Sequence, residues 1–143
     1  MIVLDTNIVL DLFLFQDPAA QPLKAALAAR DIGWIATLAM RDELARVLAY
    51  PKIEVRLAFY QLNAAHVLAQ FDAGVTLVAV APKAPLTCSD PDDQKFIDLA
   101  FAHRSMLLSK DQAVLCMAKR LLVHGVRASS AFEFVPAQEG RSC

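Results

Sequence analysis

Short apolar runs alternate along the chain with longer helical stretches, and two of those runs stop against an aspartate. Ile2-Val3-Leu4 leads into Asp5, and Met106-Leu107-Leu108-Ser109-Lys110 leads into Asp111. The pattern predicts strand 2–5, helices 7–15 and 18–30, strand 33–36, helices 38–49 and 53–72, and strand 75–80. Helix 91–104, strand 106–109, helix 111–122 and a last short strand near 125–128 complete the order. Such alternation predicts an α/β chain with a mostly parallel sheet covered by helices on both faces, since parallel neighbours need a crossover that a helix supplies. Two aspartates that each close a parallel strand then lie at one carboxyl edge, where open α/β sheets bind ligands.

The 143 residues suit one domain with a substantial core. Hydrophobic residues make up 57% of them and the mean hydropathy is +0.41, which favours surface covered by a second subunit or a partner. No uncharged apolar run approaches the ~18 residues of a membrane span, so no membrane association is expected. Asp5 and Asp11 interrupt what would be a signal-peptide core, and the widely spaced Cys88, Cys116 and Cys143 suit reduced thiols. Together these predict a cytoplasmic protein. A net charge of −1 provides no global field for a polyanion, so nucleic-acid binding has to depend on local patches and metal.

Helical direction tests whether other acids face the same edge. At about 100° per residue, Phe96, Ile97 and Ala100 fall within about 60° of Asp93, whereas Asp98 falls about 140° away. Asp93 is therefore centred on the apolar face of its helix, and a carboxylate there needs compensation beyond the helix N-terminus. The alternative is that Asp93, like Asp90 and Asp92, only caps the helix that Pro91 opens. Asp90 and Asp92 are read as capping acids. Glu43 lies at the border of the stripe formed by Met40, Leu44, Val47 and Leu48, a position that suits a side chain reaching into a cleft and also a surface glutamate. Asp5, rigidly placed at a strand end before Thr6 and Asn7, has the strongest individual case, and Asp111 repeats that geometry with Ser109 two residues earlier.

Carboxylates crowded together either take up protons or bind a cation. Oxygen donors without His or Cys favour Mg²⁺ or Mn²⁺ over zinc, and such ions serve phosphodiester hydrolysis by activating water and stabilising charge. The ordered set Met1-Ile-Val-Leu-Asp5-Thr-Asn7, Glu43, Asp90-Pro-Asp-Asp93-Gln-Lys-Phe96 with Leu99-Ala100, and Leu107-Leu-Ser-Lys-Asp111 resembles the PIN domain. The resemblance covers residues 1–135, with 136–143 as a C-terminal tail, and is closest to the branch that includes toxins of toxin–antitoxin pairs. It implies an α/β/α sandwich and a Mg²⁺- or Mn²⁺-dependent ribonuclease. Catalytic positions fall on Asp5, Glu43, Asp93 and Asp111, metal ligands on Asp5, Asp93 and Asp111, and supporting polar positions on Thr6, Asn7 and Ser109. Gln94 stands where the related pattern often carries another acid, a departure that weakens a second metal position.

RNA would be the substrate, and Arg41, Arg46, Lys52, Arg56, Lys95 and Lys110 flank the acids either as a basic rim or as ordinary solvated charges. His66, His103 and His124 have no metal-ligand spacing, and Trp34, Phe13 and Phe15 suit packing better than base stacking. The run Ile8–Phe15 is apolar nearly all round, which supports either a homodimer or a helix buried within one chain. The resemblance adds a cognate antitoxin whose segment covers the cleft. Two other functions compete. Phosphoryl transfer on an acidic pocket lacks its second aspartate, since Asn7 follows Asp5 at that spacing. A noncatalytic PIN-fold module binding RNA or protein would keep the scaffold without turnover.

Overall fold

The structure, a computed structural model, describes residues 1–132; the expected tail at 136–143 and its boundary at 135 lie outside them. Within the described residues five strands, β1 (Ile2–Leu4), β2 (Trp34–Ala36), β3 (Val75–Leu77), β4 (Met106–Leu108) and β5 (Ala128–Ser129), form one sheet in the order β3-β2-β1-β4-β5. Every pairing is parallel. Ile2, Val3, Leu107 and Leu108 are almost fully buried, as central strands must be when helices cover both faces.

Among the described residues, eight α-helices connect the strands: α1 (Thr6–Phe13), α2 (Gln21–Ala28), α3 (Leu38–Leu48), α4 (Pro51–Phe59), α5 (Ala64–Gly74), α6 (Gln94–His103), α7 (Gln112–Leu115) and α8 (Ala118–Val123). α6 packs on β1 and β4, α1, α3 and α5 pack together, and α7 and α8 pack beside β5. The apolar helix α1 finds its cover inside the chain: Ile8, Val9, Leu10 and Leu12 are buried, and Phe13 packs on Trp34 with ring centroids 6.0 Å apart. Trp34 in turn meets Phe71 edge-on at 5.0 Å, so these aromatic rings serve the core.

Several expected elements are shorter or divided. The helix expected at 53–72 is two helices, because Gln61 adopts a left-handed backbone (φ 59°) and Asn63 starts α5 by accepting the His66 N–H at 2.8 Å. The helix expected at 111–122 turns at Cys116–Met117, with Met117 buried at the corner. The 18–30 and 91–104 helices each open as a 3₁₀ turn, Pro18–Ala20 and Pro91–Asp93. β3 ends at Leu77 rather than 80, and β5 begins at Ala128 after Gly125 makes the turn with φ 84°. Among the described residues, no helix is long and apolar enough to cross a membrane.

Candidate metal centre

β1 and β4 are neighbours in register, Leu4 opposite Leu108, so the residues that follow them share one edge. The chain passes from β1 outward to β2 and β3 on one side, and later to β4 and β5 on the other. Their junction is the topological switch point at which such sheets open a crevice. Asp5 leaves β1 there with its N–H on the Leu108 carbonyl at 3.1 Å. One oxygen of Asp5 caps α1 by accepting the Ile8 N–H at 3.1 Å, and the other accepts the hydroxyl of buried Ser109. Ser109 also accepts the Asp111 N–H at 3.0 Å, which ties the two strand-end acids through one hydroxyl. Asp111 caps α7 through the Ala113 N–H at 2.9 Å.

Asp93 arrives from the other direction, at the end of the 3₁₀ turn that opens α6, and it is buried. Its inward orientation agrees with the helical reading, while Asp98 turns away to accept the Ala84 N–H at 2.9 Å. Glu43 is carried in by α3. Its carboxylate accepts the Thr6 hydroxyl and forms an ion pair with Lys95. A cleft of about 450 Å³ is lined by Asp5, Thr6, Asn7, Glu43, Asp93 and Asp111, so all but one of the expected positions face a single space. The exception, Ser109, is buried and reaches the cleft only through Asp5.

The electrostatics follow from this crowding. Burial pushes the Asp5 carboxyl above the usual carboxylate range, opposed by the Ser109 hydroxyl and the Ile8 and Asn7 N–H groups. Asp93 is pushed up to about 7 by burial, by a hydrogen bond shared with Asp111 and by the negative charge of its acidic neighbours. Asp111 is held below the usual range by that shared hydrogen bond and by the Ala113 N–H. The oxygen Oδ2 of Asp93 is nonetheless buried and receives no N–H or hydroxyl from the rest of the chain's described residues. A buried carboxylate oxygen in that state is costly unless a proton or cation joins it.

A family model described as the PIN domain matches residues 1–113. The chain belongs to the PIN domain family. No curated protein and no solved structure matches it. The all-parallel sheet with flanking helices is that of a PIN-like α/β/α sandwich, a nuclease-type fold, and a cluster of acids is present at its carboxyl edge.

Both acids that the sequence reading of this PIN domain assigns to capping stand close to the site: Asp92 lines the cleft, and Asp90 joins the carboxylate cluster beside it. Asp90, Asp93 and Asp111 each offer a ligand atom within 4.8 Å of the others. Asp90 does cap, accepting the Asp92 N–H at 3.0 Å, and its carboxylate still joins the cluster. The spacing Asp90-x-x-Asp93 across a Pro-opened turn is the signal that carries both roles.

Of the cations that could form a basic rim, three are engaged away from the cleft acids and one, Lys95, is paired within the cleft. Arg41 holds Asp72 through two bonds of 2.7 and 2.8 Å, Lys110 pairs with Asp11, Lys95 pairs with Glu43, and Arg56 lies over the Phe15 ring at 5.3 Å. Arg46 stands exposed on the cleft wall with Val47 and Tyr50.

Proposed function

We propose that this PIN domain is a divalent-metal-dependent endoribonuclease, with Mg²⁺ or Mn²⁺ as its ion, and the toxin of a toxin–antitoxin pair. The observation that carries the reading is the buried Asp93 oxygen, offered no N–H or hydroxyl by the described residues, among converging carboxylates. The donor set is oxygen only, which fits a hard divalent ion. Asp93, Asp111 and Asp5 are the residues that would hold it, with Asp90 adding a further carboxylate at the same place. When bound, such an ion activates water and offsets the charge that develops on a phosphodiester during hydrolysis.

The remaining work belongs to the chain's own groups. Ser109 fixes the Asp5 carboxylate in one orientation, and Thr6 does the same for Glu43 at the α3 side of the cleft. Arg46 supplies a phosphate contact on the wall, and Tyr50, 54% exposed, offers a flat face for a base. An antitoxin or a second copy of the chain would find apolar surface on α4, where Val55 is 68% and Phe59 75% exposed.

Cleavage of a labelled RNA by wild type and by Asp5→Asn tests the reading. Asparagine keeps the cap on α1, so the variant is expected to melt within about 1 kcal/mol of wild type while cleavage falls at least ~100-fold. Retained, metal-stimulated cleavage by the variant would refute the assignment. Tight RNA binding by wild type, with neither turnover nor metal dependence, would favour the noncatalytic module.

A further inference from the structure

Glu43 faces the cleft, yet both of its oxygens are already engaged. Oε2 accepts the Thr6 hydroxyl and Oε1 meets the Lys95 ammonium. That ammonium is itself held in place, donating to the Asp92 carbonyl at 2.6 Å and lying 4.8 Å from the centre of the Phe96 ring. The pair is only 28% and 21% exposed on its two side chains, so solvent screens it incompletely. Gln94 turns away from the cleft altogether. Its oxygen accepts the Cys88 N–H at 2.6 Å, and its nitrogen donates to the Leu86 carbonyl at 3.0 Å and to Asp98 at 2.8 Å. Among the described residues, the carboxylates that converge within 4.8 Å are those of Asp90, Asp93 and Asp111; Asp5 and Glu43 stand outside that group, and of these two Glu43 is the one paired with a cation.

We infer that Lys95 is a built-in counter-cation which occupies Glu43 and limits the cleft to a single divalent ion. The inference rests on the metal-dependent reading above and specifies its stoichiometry. A second ion beside Glu43 would face the fixed positive charge of Lys95, which has no counterpart on Asp5, while the amide at Gln94 supplies no substitute acid. Glu43 is then a positioning residue, and Lys95 acts through it.

Calorimetric titration of the purified chain with Mn²⁺, without RNA, reads the count directly. Wild type is expected to bind one ion per chain. Lys95→Met keeps an unbranched apolar side chain beside Phe96 and removes the charge, and it is expected to bind two, the second at least ~10-fold more weakly. Lys95→Arg is expected to return the count to one, and Lys95→Gln serves if the Met variant does not fold. Two ions in wild type would overturn the inference outright, as would a folded Met or Gln variant that still binds one. No ion in wild type would overturn it together with the nuclease reading. One ion in wild type and two in the variant, with no RNA cut by either, would leave this inference standing and remove the nuclease reading alone.

Discussion

Carboxylates crowded together at one sheet edge make Asp93 the residue whose protonation state decides what the site can hold. Its folded value of about 7 lies above the ordinary 3.8, so the proton is retained by the folded chain more tightly than by the unfolded one. The stability that this group contributes is therefore fully present below the ordinary value and is lost as pH rises towards 7. Asp5 shifts in the same direction, whereas Asp111 is lowered and titrates in a more acidic range. A divalent ion competes with the Asp93 proton and so gains affinity as pH rises. The metal-free chain is expected to lose melting temperature between about pH 5 and about pH 8, and added Mn²⁺ to raise it more at the upper end than at the lower. Thermal melts with and without Mn²⁺ check this; an equal metal shift at both ends would contradict it. Asp5 and Asp111 were legible in the sequence because strand ends are marked by the apolar runs before them, and Asp93 because the helical count aims it inward. Asp90 was hidden because its capping position already accounts for an acid before Pro91, and the ion pair between Lys95 and Glu43 because it joins residues from two separate helices.

Element boundaries were legible where chemistry marks them and hidden where apolar periodicity runs on. Ile53, Leu57, Leu68 and Phe71 sustain a helical pattern across α4 and α5, and the break between them rests on Gln61 in a left-handed conformation. The Leu62 N–H closes that turn on the Leu57 carbonyl at 2.8 Å, and Asn63 then caps α5. Asn63 was the available signal; Gln61 gave none, since glycine is the residue that usually marks this conformation. Gln61→Gly is expected to stabilise the chain by about 1 kcal/mol by relieving the Cβ strain, an effect readable as a higher urea midpoint. A lowered midpoint would show that the side chain at 61 matters more than its backbone. The turn at Cys116–Met117 has neither glycine nor proline, and burial of Val114, Met117 and Leu121 along the bent path is what the sequence pattern shares with a straight helix.

At the scale of the whole molecule, the strand order places β1 and β4 side by side at the centre, and this one fact brings together acids more than a hundred residues apart. The alternation of elements foretold a parallel sheet; the neighbour order is a property of tertiary packing that local patterning does not encode. The high apolar content has a divided explanation. α1 is absorbed by the core, while Val55 and Phe59 on α4 and Val123 at the end of α8 remain exposed. The central claim is that the acidic cleft cuts RNA internally with a divalent ion. A closed circular RNA has no ends, so incubating it with the purified chain in Mn²⁺ or Mg²⁺, beside EDTA and metal add-back, tests that claim most directly. Linear product that appears with metal, vanishes with EDTA and returns on add-back is the result predicted; a circle left intact by folded, metal-loaded chain, or opened equally in EDTA, would contradict it.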